Sequence, residues 1–241
     1  MLIEKRVYTL RPGLTDAFMK AQVDRGWEPV RPILDKLIGY FSSAGGPRDE
    51  ITHLYRFDSY DDWVKRLHGL YTVPGLAPYF AAVRPLMLAQ VNEFIAPAPF
   101  AALTPLWGNG KDTPPKGALP QAPPLGAPML VEEHMIQLLP GKIPAYWDAW
   151  KTHGAAAGDL ATRRLIGVFT TAVGHQHRVT WYRWHADRAQ RDACAAELAG
   201  NAHWHAFMAE TMNLVASYET KLLTPAPHGE MSPMFAAGAP R

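Results

Sequence analysis

The sequence predicts an α+β protein made of two tandem ferredoxin-like domains, each ordered β-α-β-β-α-β, with their sheets face to face in a barrel-like body. Three observations carry this. First, Ile3-Glu4-Lys5-Arg6-Val7-Tyr8-Thr9-Leu10-Arg11-Pro12-Gly13 returns as Val131-Glu132-Glu133-His134-Met135-Ile136-Gln137-Leu138-Leu139-Pro140-Gly141, 128 residues later, and Leu37–Ser42 returns as Leu165–Thr170 at the same offset. Second, nine of the 22 prolines fall between Pro97 and Pro128. Proline fixes φ and removes a donor, so this stretch is neither helix nor inner strand. Third, alternating and helical patterns succeed one another in the same order on either side of it. The period exceeds the units of about 50 residues that build solenoids, which leaves two copies of one domain.

The boundaries follow: a first domain over 1–97, a Pro-rich linker over 98–128 that flexes around Gly108-Asn109-Gly110, a second domain over 129–225, and a loose tail over 226–241. In the first copy, residues 2–11 alternate and are rich in β-formers until Pro12-Gly13 breaks the strand. Leu14, Ala17, Phe18 and Ala21 then keep helical spacing, as Ile143, Tyr146, Trp147 and Trp150 do in the second copy. Strands follow over about 37–44 and 50–58, and over about 164–173 and 177–185, with turns at Gly45-Gly46-Pro47 and Gly174. Tyr55-Arg56-Phe57 is matched to Tyr182-Arg183-Trp184, one residue short of the common offset. Helical segments come next, near 60–71 and 76–84, then 187–198 and 202–212, and each copy closes on a β-like run, 86–95 and 214–223. A split βαβ unit of this kind covers one face of its sheet with helices and leaves the other for a partner. Here the partner is the other copy, giving a monomer with an internal pseudo-dimer, or a homodimer if the copies exchange across chains.

Composition narrows the function. Apolar residues make up 48% and charged residues 19%, and the net charge of +2 is spread without a basic block. Neither nucleic acid nor an anionic membrane is expected as a partner. No apolar run approaches the roughly 20 residues that span a bilayer, and the first residues do not form a signal peptide. The single Cys194 excludes an intrachain disulfide and a cysteine-rich metal site, and a cytoplasmic protein is expected.

Glu4, Arg6 and Tyr8 share one face of the first strand, and Glu132 and His134 are their counterparts. Helices demand an apolar face, and Ile3 and Val7 suit them better, so the polar face is placed between the sheets. Two readings stay open: a satisfied Glu-Arg-Tyr network that fixes the packing, or a general acid/base with an anion-stabilising arginine. His53, Tyr55 and Phe57 share a face of the third strand. A histidine among aromatics suits a proton relay, and equally a core residue bonded to backbone. In the second copy Trp181, Arg183 and His185 share a face and Trp184 takes the other. Tyr8, Tyr40, Tyr55, Trp181 and Trp184 would wall a flat, apolar ligand, beside Arg183. His203 and His205 point apart on a helix, and His175 and His177 occupy a turn with no acidic neighbour in sequence, so no metal is expected. No phosphate loop, nucleophile elbow or HExxH pattern occurs.

The opening Glu4-x-Arg6-x-Tyr8-x-Leu10-x-Pro12-Gly13, the hairpin Gly39–Pro47 leading into His53-Leu54-Tyr55-Arg56-Phe57, and in the second copy Gly167–Thr171, Trp181–Trp184, Arg188-x-x-Arg191 and Asn201-Ala202-His203-Trp204 resemble the NIPSNAP family, across both copies. The resemblance implies an intrachain dimeric α/β barrel, within a wider group of cofactor-free oxygenases, isomerases, cyclases and haem-dependent enzymes. Ala44 stands where the family usually carries a glutamate. Two functions are therefore expected in turn. One is a cofactor-free acid/base enzyme on a small aromatic or apolar metabolite, with Glu4, Arg6, Tyr8, His53 and His134 as catalytic candidates in a chamber between the sheets. The other is a non-catalytic binder of haem, on His53 or His134, of another flat ligand, or of a protein partner.

Overall fold

In the computed structural model, which describes residues 1–107, 117–119 and 122–236, the duplication holds element by element. The first copy runs β1 (Leu2–Leu10), α1 (Thr15–Asp24), α2 (Arg31–Leu34), β2 (Leu37–Gly45), β3 (Glu50–Phe57), α3 (Tyr60–Tyr71), α4 (Ala77–Val83) and β4 (Met87–Pro97). The second runs β5 (Leu130–Leu138), α5 (Ile143–Thr152), α6 (Asp159–Thr162), β6 (Leu165–Val173), β7 (Arg178–His185), α7 (Arg188–Ala199), α8 (Ala202–Thr211) and β8 (Val215–Pro225). The strands that the alternation predicts all form. The short helices α2 and α6 were not expected, because single turns leave no period to read. Gly13 and Gly141 both sit at φ +78° after their first strands, a backbone conformation that glycine takes without steric cost.

The eight strands close into one antiparallel barrel in the order β1-β3-β2-β8-β5-β7-β6-β4. Its seams are β2 with β8 and β4 with β6. The copies therefore complete each other within one chain. Among the described residues no helix is long and apolar enough to cross a membrane.

The register corrects two expectations. His53 lies opposite Arg6, and Trp181 lies opposite His134, so the common offset runs through the third strand. Arg183 corresponds to Tyr55, not to Arg56, and a slip of one residue would have moved every side chain to the other face. The second correction concerns that face. Ile3 packs in the barrel interior with Phe41, Leu54, Val131, Phe169 and Leu223, while Leu10 and Tyr8 pack under the helices with Phe18, Leu34 and Val83. Glu4, Arg6 and Tyr8 are consequently between sheet and helices, and the space between the sheets is a filled core. Strand β1 has charge on both faces, because Lys5 enters the interior and pairs with Glu133 at 2.5 Å. Counting charges could not choose the side. Helices tolerate Glu4 and Arg6 because the two satisfy each other before meeting any helix.

The tail is also unlike its composition. Over its described residues, Ala226, Met231, Met234 and Phe235 are buried, and the Ser232 hydroxyl donates to the Ala226 carbonyl at 2.8 Å. Apolar side chains anchor it to the barrel where a loose segment was expected. Within the linker Leu103 and Trp107 are buried as well, while Gly108-Asn109-Gly110 falls outside the described residues.

Candidate functional site

Each copy has a space between its sheet and its helices, and the two differ. In the first, the Arg6 guanidinium donates to both Glu4 oxygens, at 3.0 and 2.8 Å through Nη2 and at 3.1 Å through Nε. Asn92 donates to the same carboxylate. Arg6 also lies over the Tyr55 ring, 5.1 Å from its centroid, and reaches the Tyr8 hydroxyl at 3.4 Å. His53 stacks on Tyr40 at 3.7 Å and meets Tyr8 edge-on at 4.6 Å. It is fully buried with neither ring nitrogen hydrogen-bonded. Burial, then the charges of Arg6 and Arg25, push its pKa well below the ordinary value, so it is neutral. Only about 60 Å³ stays open, lined in part by Arg6, Tyr8, Tyr40, Tyr55 and Tyr71. Thus four of the five catalytic candidates, with Tyr40 and Tyr55, do come together, but as a closed network.

In the second copy the equivalent space is a cavity of about 260 Å³. On its sheet side stand Glu132, His134 and Ile136 from β5, Trp181, Arg183 and His185 from β7, and Tyr218 and Thr220 from β8. Helices α7 and α8 supply Arg191, Ala195, Ala199, Trp204 and Phe207 to the same cavity. Alternation explains the sheet side, since each of these residues is two positions from the next on its strand. Glu132 is bound by Arg191, at 2.6 Å from Nη2 and 3.1 Å from Nε. His185 Nε2 lies 3.6 Å from its other oxygen, too long for a hydrogen bond. Burial alone would raise this carboxyl; His185 and Arg191 overcome that and hold it down at about 2.

His134 is fixed differently. Its Nδ1 lies 2.8 Å from the Thr220 hydroxyl, and its ring stacks on Tyr218 at 5.6 Å and 17°. Nε2 makes no hydrogen bond among the described residues. Burial, helped by Arg183 and Arg191 and opposed by Glu132, lowers its pKa, so His134 is uncharged at neutral pH. Arg183 stacks over Trp181 at 4.6 Å and donates to the Ala161 carbonyl at 2.9 Å. It has no carboxylate within ion-pair distance among the described residues. Burial pushes it down to about 10, which leaves it a cation at neutral pH. Trp181 Nε1 donates to the Tyr146 hydroxyl at 3.1 Å, fixing that wall.

Of the sequence candidates, His134, Trp181 and Arg183 line this cavity. Trp184 does not, being part of the barrel interior with Arg164 over its ring at 5.1 Å. His134 and His185 are on adjacent strands, but Trp181 faces His134 and Leu130 faces His185. Sequence reading did not single out Tyr146, Phe207, Tyr218 and Thr220. One signal was available: Leu67 and Tyr71, which line the first space, become Ala195 and Ala199 at the common offset. No group of three or more His, Cys, Asp or Glu suited to a metal occurs among the described residues. His175 instead meets Glu93 at 2.5 Å.

The NIPSNAP family profile matches residues 3–102 and again 131–229. The chain is similar to the human protein NipSnap homolog 3A, 24% identical over 233 residues that cover 92% of this chain and 82% of that one. Among solved structures, a Lactobacillus acidophilus protein provisionally named a monooxygenase matches at 8% identity over 93% of both chains, with a TM-score of 0.57. An anthrone oxidase-like protein matches at 10% identity, over 93% of this chain and 91% of that chain, with a TM-score of 0.54. At such identities these structures establish a shared fold.

Proposed function

The chain belongs to the NIPSNAP family, and on that footing we propose that its second copy is an acid/base enzyme acting on a small, flat, largely apolar molecule with an enolisable carbonyl. One observation carries the reading: a histidine and an arginine face the same cavity with no carboxylate bonded to either, while the nearby Glu132 is held by Arg191. With Nδ1–H donating to Thr220, His134 Nε2 is a free base, already neutral at neutral pH. Arg183 is on the adjacent strand opposite Glu132, a diagonal neighbour of His134 about 7–8 Å away between Cα atoms.

A carbonyl oxygen beside Arg183 places the neighbouring C–H toward His134. The proton moves to Nε2, and the charge that develops on oxygen meets a guanidinium already desolvated and oriented by Trp181. Return of the proton to another carbon completes an isomerisation. Cyclisation, fragmentation or capture of oxygen would start from the same enolate. The oxygenase names of the fold relatives fit the last of these, but proton abstraction does not rest on them. Trp181, Trp204, Phe207 and Tyr146 supply the apolar walls. At about 260 Å³ the cavity is just under the roughly 300 Å³ at which drug-sized pockets begin. A whole tetrapyrrole is larger than that volume, which favours a smaller ligand. In this reading Glu4, Arg6, Tyr8 and His53 hold the first copy together and do no chemistry.

The test uses 2-tetralone, a bicyclic ketone with acidic C–H bonds, in deuterated buffer. Wild-type protein is expected to speed deuterium uptake, read by proton NMR, and His134→Gln to remove the effect. Uptake at the buffer rate with this ketone and with a panel of smaller aryl ketones would dismiss the proposal.

A further inference from the structure

The barrel interior carries a small set of buried and half-buried charges, and their signs invert between the copies. Lys5 of the first copy corresponds to Glu133 of the second, and strand register confirms the match: Lys5 lies opposite Glu93 on β4, Glu133 opposite Lys221 on β8. Glu50 likewise corresponds to Arg178, since they face Thr9 and Gln137 in equivalent pairings. The set Lys5, Glu50, Glu93 thus becomes Glu133, Arg178, Lys221, with the charge reversed at all three positions.

Where the two copies face each other, the opposite signs meet. Lys5 Nζ is 2.5 Å from Glu133, with side-chain exposures of 4% and 0%. Lys221 Nζ is 2.6 Å from Glu50. At the equivalent point of the other seam, Arg178 Nη1 is 3.8 Å from Glu93. Two first copies brought together in the same way would set Lys5 on Lys5 and Glu50 on Glu93. Two second copies would set Glu133 on Glu133 and Arg178 on Lys221. Every such contact joins like charges in a site with little water, where repulsion is poorly screened.

We infer that these three pairs are a recognition code: the barrel-forming face of each copy accepts the face of the opposite copy and rejects its own kind. Attraction and repulsion are used together, as in other specific interfaces. The occupant is therefore a second-copy face for every first copy, from the same chain. The code keeps each open cavity paired with a closed copy and prevents two open copies from assembling. It rests on the seam alone and stands whatever the cavity does.

Charge reversal in the full chain tests it. Glu50→Lys sets a second cation against Lys221 and at the same time makes a first copy complementary to another first copy through Glu93. The expected result is a melting temperature lower by on the order of 10 °C, with a mass by light scattering that rises with concentration beyond that of wild type. Adding Lys221→Glu re-forms an opposite-sign pair at that contact and should restore the melting temperature. Lys5→Glu with Glu133→Lys forms a second cycle at the centre of the barrel. If the single variants do not fold, recovery of folded protein in the doubly reversed chains supports the code. Doubly reversed chains no more stable than the singles, or a Glu50→Lys chain with wild-type stability and mass, would overturn it.

Discussion

The first copy fills the layer between its sheet and helices, whereas the second, on the same backbone plan, leaves it open. The helices decide this more than the strands. Where the first copy places Val30, Ile33, Leu67 and Tyr71 around its small space, the second has Gly158, Ala161, Ala195 and Ala199, the last two lining the cavity. Side-chain volume removed from a packed layer is left as cavity where the surroundings do not close in on it. Polar groups were redistributed to match. In the first copy the arginine is on strand β1 and spends its donors on Glu4 of the same strand. In the second, the β5 position is His134, the cation has moved to Arg183 on β7, and Glu132, the counterpart of Glu4, is bound from helix α7. The two copies thus keep the same inventory of carboxylate, cation and imidazole, but only in the second do the last two line an open cavity.

Substitutions can break or sharpen this contrast. The largest effect is expected from His134→Gln, which should cut turnover about 10²–10⁴-fold in a steady-state assay; His53→Gln in the closed copy should leave it unchanged, and the reverse pattern would exchange the roles of the copies. Arg183→Met should cost about 10²–10³-fold in kcat, with the fold intact by circular dichroism. Arg6→Ala, its counterpart in kind, should instead leave turnover per folded molecule alone. It strips Glu4 of a buried partner, and urea unfolding should show a loss of about 3–5 kcal/mol. Ala199→Tyr copies the first-copy residue into the second. It should raise KM about tenfold or more by filling the cavity, with melting temperature nearly unchanged.

The smallest effect concerns pH. His53 and His134 have folded pKa values below the ordinary one, so below about pH 6.5 the unfolded chain binds more protons and stability falls. Glu132, held at about 2, contributes stability that is present above about pH 4.5 and is lost as pH drops from there toward 2. Melting temperature should therefore decline in two stages on acidification. His53→Phe should flatten the first stage more than His134→Gln, because His53 is the more deeply buried.

Part of the lining of the candidate site was legible residue by residue. His134, Trp181 and Arg183 stand out as polar or aromatic residues on a shared strand face, and the cavity does hold them. The shared face was readable because strand geometry alternates locally. Its direction was not, because β1 has Lys5 on one side and Glu4 with Arg6 on the other, and only the partners show which charges are satisfied where. Trp184 was grouped with the wrong wall for a related reason, being on the opposite face from Trp181. The tail misled through its prolines and glycines, while the three side chains that anchor it, Met231, Met234 and Phe235, found their receptor only in the closed barrel.

The order of elements, the duplication and the pairing of two sheets are written in the chain itself, since hydrophobic period, turn residues and a repeated motif act over a few neighbours at a time. The location of the cavity and the sign code of the seam belong to the tertiary structure. Both depend on residues far apart in sequence meeting across a layer, where an absent side chain on a helix or a reversed charge on a distant strand acquires meaning only from what stands opposite.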